Sequence, residues 1–278
     1  KLLNFDKNNE TLFSMLKHKN IYDLLNKSLK NKKTFKKFYI NDENFYKKIM
    51  NKNKYDLTVN FDPTNKISKK YFNKKIIKDY NSSAYTTVLK HESLQNKKAI
   101  QIFTKYGPIA FLPISKTETS VVFSIVNQKK ELSESKVFNL IKEFNLNYKI
   151  KSFKKLENFK LNFHTARNYH YKNIMNFGDN LHKIHPVAGQ GFNMTLRDIK
   201  IFSEIIEDRL NLGLQLDYLI YEEFEKKTKH LNFLFSNGID FIYEFFKNEN
   251  IFFTRILKQL NNKEAFKKIF QKYADQGF

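Results

Sequence analysis

Glycine is scarce in this chain, and where it falls limits the folds open to it. The 278 residues contain seven: Gly107, Gly178, Gly189, Gly191, Gly213, Gly238 and Gly277. A G-x-G-x-x-G dinucleotide fingerprint cannot be assembled from them, because nowhere do three stand at the required spacing. Three of the seven lie between 178 and 191, which marks that stretch as the place where the backbone needs special freedom. It runs Phe177-Gly178-Asp179, continues through His182, His185 and Pro186, and reaches Gly189-Gln190-Gly191-Phe192-Asn193 before Arg197-Asp198. Physically this is a strand ending in Gly-Asp, a loop fixed by a proline, and a Gly-x-Gly turn that opens a helix.

Such a segment suits a particular chemistry. A helix N-terminus presents unpaired N–H groups and the positive end of its dipole, which favours an anion. The Asp179 carboxylate, at the strand's end, can accept from a hydroxyl such as a ribityl OH. Both features suit a flavin, whose reduced ring carries negative charge. His182 and His185 stand three apart, but nothing nearby completes a metal ligand set, so no metal site is expected. With no cysteine there is no disulfide framework and no thiolate site, and a reducing cytoplasm fits.

The surrounding pattern predicts a mixed α/β fold of the α+β kind. Apolar spacing predicts a helix over 9–30, with Leu12, Met15, Leu16, Ile21, Leu24, Leu25 and Leu29 on one face. A short strand is expected near Phe35–Ile40 and another over Tyr55–Phe61, ending at Asp62-Pro63. Four strands follow at Tyr85–Leu89, Ala99–Phe103, Ile109–Ile114 and Ser120–Val126. A helix capped by Ser133 or Ser135 then carries Val137, Leu140, Ile141 and Phe144. A strand at Ile174–Phe177 leads to the Gly-Asp segment and a helix from Phe192 to Leu210; from Leu214 the chain reads as helix. The Phe233, Phe235, Phe241, Phe245, Phe246, Phe252 and Phe253 series is either helix core or a surface that docks on membrane or a partner.

Charge needs its own reading. The formal net charge is +22, which invites nucleic acid as a partner. Only four of the 50 cations are arginines (Arg167, Arg197, Arg209 and Arg255), although arginine is the residue that reads phosphates and guanines bidentately. The abundance of Lys, Asn, Ile, Phe and Tyr reads instead as a compositional bias, so no specific nucleic-acid binding is expected. Attraction to anionic lipid head groups is a further reading of the same charge. No apolar run approaches the ~18–20 residues of a membrane-spanning helix.

The 178–198 segment resembles the second FAD motif of the aromatic hydroxylases of the p-hydroxybenzoate hydroxylase fold. The likeness is to their ubiquinone-biosynthesis branch, with the pattern GD-A-A-H-x-I-H-P-x-A-G-Q-G-x-N-x-G-x-R-D. The chain matches at Gly178, Asp179, His182, Ile184, His185, Pro186, Ala188, Gly189, Gln190, Gly191, Asn193, Arg197 and Asp198. It departs at Asn180, Leu181 and Thr195. Tyr106 through Ile114 is similar to the family's T-G-P-L-A-F-L-P-L stretch. Asn60 through Lys69 stands where the family has G-A-D-G-A-N-S-x-x-R, keeping Asp62, Asn65 and a basic Lys69 but losing both glycines.

The resemblance implies an FAD-binding aromatic-hydroxylase fold with an antiparallel substrate sheet and C-terminal helices, the family's first βαβ unit lying outside this sequence. Its parts would be a partial FAD-binding domain over 1–79, a substrate sheet over 80–150, a return to the FAD-binding domain over 151–210 and a helical region over 211–278. It implies FAD held by Asp179, Pro186, Ala188, Gly189, Gln190, Gly191, Phe192 and Asn193, with Phe111, Leu112 and Pro113 facing substrate. His185 would shape the loop that holds Pro186 against the flavin. NAD(P)H would reduce the flavin, and a polyprenyl phenol would be hydroxylated with no catalytic side-chain constellation. That substrate implies work at a membrane surface, within a quinone-biosynthesis complex. A non-catalytic relative, acting as scaffold or lipid-handling partner in quinone synthesis, is the competing reading, motivated by the missing glycine fingerprint and the altered Asp62-Pro63 segment.

Overall fold

The computed structural model describes residues 13–39, 55–126, 132–186 and 189–247, with residues 245–247 described by backbone alone. These divide into two compact units: 55–81 with 161–247, and 13–39 with 82–160.

The second unit is built on an antiparallel sheet. Its strands are β2 (Lys75–His91, which enters from the first unit), β3 (Ile100–Thr104), β4 (Gly107–Pro113), β5 (Glu118–Val126) and β6 (Ile150–Phe153). Their order is β6-β2-β5-β4-β3, and the register places Tyr85 opposite Phe123 and Phe123 opposite Ile109. Because side chains alternate across a strand, that register gathers Tyr85, Leu89, Ile109, Phe111, Val121 and Phe123 into one buried cluster. Helix α3 (Glu134–Glu143) covers the cluster with Val137, Leu140 and Ile141. Ser133 occupies its N-cap position, but its hydroxyl sits 3.2 Å from that of Ser135 and does not bond the helix backbone.

The first unit holds a three-stranded sheet in the order β1-β9-β8, from β1 (Thr58–Asn60), β8 (His170–Tyr171) and β9 (Ile174–Asn176). β1 and β9 run parallel, with Val59 opposite Met175. Strand β7 (Glu157–Ala166) reaches this unit by its C-terminal half, where it pairs with β10 (His182–Lys183). Three helices complete the unit: α2 (Lys66–Tyr71), α4 (Gly191–Asn211) and α5 (Leu219–Lys247). Met175, Phe177 and Leu181 pack with Ile205 of α4 and Ile220, Tyr221 and Phe224 of α5. Tyr221 also ties α5 to the sheet: its hydroxyl accepts from the Thr58 N–H at 2.7 Å and donates to the Asn173 carbonyl at 3.1 Å. Burial of that phenol pushes its pKa up, so it remains a donor at any physiological pH.

Two local expectations fail. The helix predicted over 9–30 is helical only as α1 (His18–Lys30); Phe13–Lys17 are not helical, and 9–12 lie outside the described residues. Lys17 stands at the N-cap, where it offers no side-chain acceptor to the first N–H groups. The strand expected near Phe35–Ile40 is absent over Phe35–Tyr39, which find no ladder partner among the described residues; Ile40 lies outside them. Of the phenylalanine series, Phe235 is buried while Phe233 and Phe241 are exposed. The side chains of Phe245 and Phe246, and all of Phe252 and Phe253, lie outside the described residues.

Gly107 turns the chain between β3 and β4 at φ +130°, and a Cβ there would lie 2.1 Å from the Ser124 carbonyl oxygen on β5. No side chain fits without moving backbone. Gly107→Ala is therefore expected to destabilise the sheet by about 3 kcal/mol or more, read as a lowered urea midpoint with an unchanged slope.

Candidate functional site

The end of β1 and the end of β9 lie side by side, and each runs into a polar turn. After Asn60 the chain forms a turn closed by Asp62, whose carboxylate accepts from both the N–H and the hydroxyl of Thr64 at 2.7 Å. Those bonds, the hydroxyl's above all, hold the Asp62 carboxyl below the usual carboxylate range. The N–H that Pro63 lacks is not needed, because Thr64 supplies the donor. Asn65 then caps α2, its side chain accepting from the Ser68 N–H at 2.8 Å.

After Asn176 and Phe177 the chain enters a single 3₁₀ turn, Gly178–Asn180, with Gly178 at φ +60°. The two turns are joined through the hydroxyl of Ser68. It accepts from Asn60 Nδ2 and Asn180 Nδ2, both at 2.7 Å, and donates to the Asp62 carbonyl at 2.5 Å. One proton and two lone pairs are thereby all used. Asn60, Ser68 and Asn180 are each at most 6% exposed, so water does not compete. Asn65 donates to Asn60, and the Lys75 ammonium donates to Asn180 Oδ1 at 3.0 Å. Burial lowers the Lys75 pKa.

Asp179 itself is exposed, and its carboxylate has no hydrogen-bond partner among the described residues. Its carbonyl is held from behind by His164 Nε2 at 2.7 Å. Burial and the nearby Lys75 charge push His164 down to about 4, so the ring is neutral near pH 7 and Nε2–H donates. Beside this turn α4 begins. Gln190 is its buried N-cap residue, Gly191 is half-buried, and Phe192 and Asn193 are exposed at its open first turn. Gly189, exposed at φ +63°, donates its N–H to the Pro186 carbonyl at 3.0 Å. Ala188 lies outside the described residues.

The structure thus brings Asp179 and the first turn of α4 to one unit. Phe111, Leu112 and Pro113 belong to the other: Phe111 is buried in its core against Tyr148, while Leu112 and Pro113 are half-buried. The two motif histidines take separate structural roles. His182 Nε2 donates to Asp198 at 2.6 Å, and Asn232 of α5 donates to the other oxygen of the same carboxylate at 3.0 Å. His185 stacks on Tyr243 at 3.9 Å and meets Tyr80 edge-on; burial pushes it down to about 3. No cluster of three or more metal-ligating side chains exists among the described residues.

Four departures from the aromatic-hydroxylase pattern converge on this turn. Asn60 and Asn180 meet at Ser68. Phe61 leans on Phe177 with ring centroids 5.1 Å apart. A Cβ on Gly178 would lie 3.1 Å from the Phe61 ring and 3.9 Å from the Thr195 methyl. An exposed acceptor at a strand end beside an open helix N-terminus fits a polyhydroxylated, anionic cofactor such as FAD.

Two measurements check this arrangement. Ser68→Ala leaves the buried Asn60 amide without its acceptor, and Asn180 with only the longer bond to the Asp62 carbonyl at 3.3 Å, and is expected to cost about 2 kcal/mol in chemical denaturation. His164 and His185 have folded pKa values near 4 and 3, below the usual value near 6.5. The unfolded chain therefore binds more protons below pH 6.5, so stability is complete above that pH and falls as pH drops toward 4. His164→Gln keeps a donor that does not titrate, and a flatter melting-temperature profile between pH 6.5 and 4 is expected for it.

The comparisons bear on family and fold. The chain is 28% identical over 210 residues to the ubiquinone biosynthesis monooxygenase COQ6, mitochondrial, of Dictyostelium discoideum, covering 61% of this chain and 42% of that protein. It is 26% identical over 154 residues to the 3-demethoxyubiquinol 3-hydroxylase of Escherichia coli, covering 53% and 39%. It spans less than half the length of these relatives. Among solved structures, p-nitrophenol 4-monooxygenase PnpA from Pseudomonas putida superposes with a TM-score of 0.65 at 11% identity, over 79% of this chain and 59% of that one. That likeness bears on fold alone, and it agrees with the aromatic-hydroxylase fold expected from the 178–198 segment. The family model described as squalene epoxidase matches residues 54–259, most of the chain, and the chain belongs to that family of FAD-dependent monooxygenases.

Proposed function

We propose that this chain is part of a flavin monooxygenase that hydroxylates an aromatic polyprenyl ring in ubiquinone biosynthesis. The observation that carries the reading is the exposed Asp179 carboxylate beside the open N-terminus of α4. A bound FAD, reduced by NAD(P)H, would supply the oxygen chemistry. The chain's own residues would do the rest. Asp179 would accept from a ribityl hydroxyl, while the N–H groups of Gly191, Phe192 and Asn193 would face negative charge on the ring. His164 and Asn180 hold the turn that aims Asp179. Pro186, Ala188, Gly189 and Gln190 would form the loop along the ring, and Leu112 and Pro113 of β4 would contact substrate. The names of the relatives support the quinone setting, and a quinone-biosynthesis complex at a membrane surface would supply so apolar a substrate. No helix among the described residues is long and apolar enough to cross a membrane.

A second reading, a non-catalytic relative, is favoured by Phe61 and Thr195, which narrow the space at Gly178. The visible spectrum of the purified chain, taken with FAD before and after gel filtration, bears on both. Retained flavin is expected. Asp179→Ala should weaken retention roughly tenfold to hundredfold, the worth of a hydrogen bond to a charged group. A folded chain that holds no flavin would mean either a piece of the enzyme or a non-catalytic relative, and repeating the titration with the chain extended upstream would decide between them.

A further inference from the structure

Away from the flavin turn, the first unit carries a groove of about 620 Å³ between the outer face of α5, the end of β7 and Ile76 of β2. Its lining is unusual in one respect: Arg167, Lys226 and Lys229 face a single acid, Glu225, with His230 beside them. Lys229 is fixed, donating to Glu225 and, at 2.7 Å, to the Arg167 carbonyl. That salt bridge uses the one acid. Arg167 and Lys226 are exposed, and their cationic groups have no acidic or aromatic partner among the described residues.

The arginine is informative because arginine is rare here. Of the described arginines, Arg197 lies 4.3 Å above the Phe235 ring and Arg209 pairs with Asp217 at 3.5 Å. Both have structural partners. Arg167 has its backbone pinned by the Lys74 carbonyl at 2.9 Å, which sets the guanidinium at the groove without occupying it. A guanidinium offers a planar fork suited to phosphate, in a chain that otherwise uses lysine for solubility. The groove also has an apolar side: Ile76 is 41% and Phe233 44% exposed. Spacing 226, 229, 230, 233 puts the two lysines, His230 and the phenylalanine on one face of α5.

We propose that this groove binds the phosphate headgroup of an anionic amphiphile, with Arg167 and Lys226 on the phosphate, Lys229 as a fixed neighbouring charge, and Ile76 and Phe233 against the apolar portion. The volume is in the range of small-molecule sites. This inference stands apart from the flavin reading and needs no cofactor.

The test uses the whole chain and three probes: inorganic phosphate, short-chain phosphatidic acid as free monomers, and phosphatidylcholine vesicles with or without phosphatidylglycerol. Binding to the monomeric phosphatidic acid and to the anionic vesicles, stronger than to phosphate alone, is expected. Arg167→Gln with Lys226→Gln should weaken both by roughly thirtyfold, about fivefold per basic residue. The control, Lys97→Gln with Lys98→Gln, removes the same charge from an exposed stretch of the other unit and should change little. Phe233→Ser should weaken the lipid probes and leave phosphate unaffected. Binding to vesicles without the monomer would place recognition on the membrane surface as a whole and overturn a groove site. Equal losses in the two charge-removed variants would reduce the effect to net charge, and phosphate binding as tight as the amphiphile would remove the apolar half of the proposal.

Discussion

A single hydroxyl, that of Ser68, fixes where two turns lie. Its proton and both lone pairs are engaged by groups from the Asn60–Asp62 turn and from Asn180, more than a hundred residues on. In a site this buried, a polar network stabilises one arrangement only when every member is satisfied. That condition sets where β1 ends, where α2 begins and where the Gly178–Asn180 turn sits. The exposed carboxylate of Asp179 inherits its position from this junction and from the neutral His164 behind it.

The junction also explains how the chain departs from its family's pattern without losing the turn. Asn60 and Asn180 stand where smaller residues are usual, and each brings a buried amide that needs an acceptor. Together they share Ser68. Phe61 and Thr195 likewise occupy neighbouring space at Gly178, one from the end of β1 and one from α4. Asn60 and Asn180 share one partner, so the effects of changing them on stability should not be additive.

Much of this was legible in the sequence where a pattern is local. The Gly-Asp turn and the helix opened by Gly191 could be read because glycine is scarce and the motif is long. The sheet strands β2 to β5 could be read from apolar runs separated by turns. The partners of the motif residues could not. Nothing in the spacing says that His182 and Asp198 share a hydrogen bond, or that Asn232, far along the chain, completes the pair. His164 and Lys75 carried no motif, since a buried histidine behind a turn looks like any other in sequence. β7 does alternate, through Phe159, Leu161 and Phe163, but the interleaved lysines and asparagines dilute the signal. At Phe35–Tyr39 the composition suited a strand, yet a strand also needs a neighbour, and that depends on the fold as a whole.

The parallel pairing of β1 with β9 has a consequence for how the protein is made. Thr58 leaves the ribosome long before Ile174, its ladder partner, and the 82–160 part of the second unit is synthesised between them. Until then β1 is an unpaired edge, with the backbone groups that a neighbouring chain could capture. The parts of the second unit, 13–39 and 82–160, have all been made before the first unit's later half, for which that unit must wait. Slow emergence of 161–247 would therefore lengthen the time during which newly made chains are open to aggregation, and chaperone protection is most needed there.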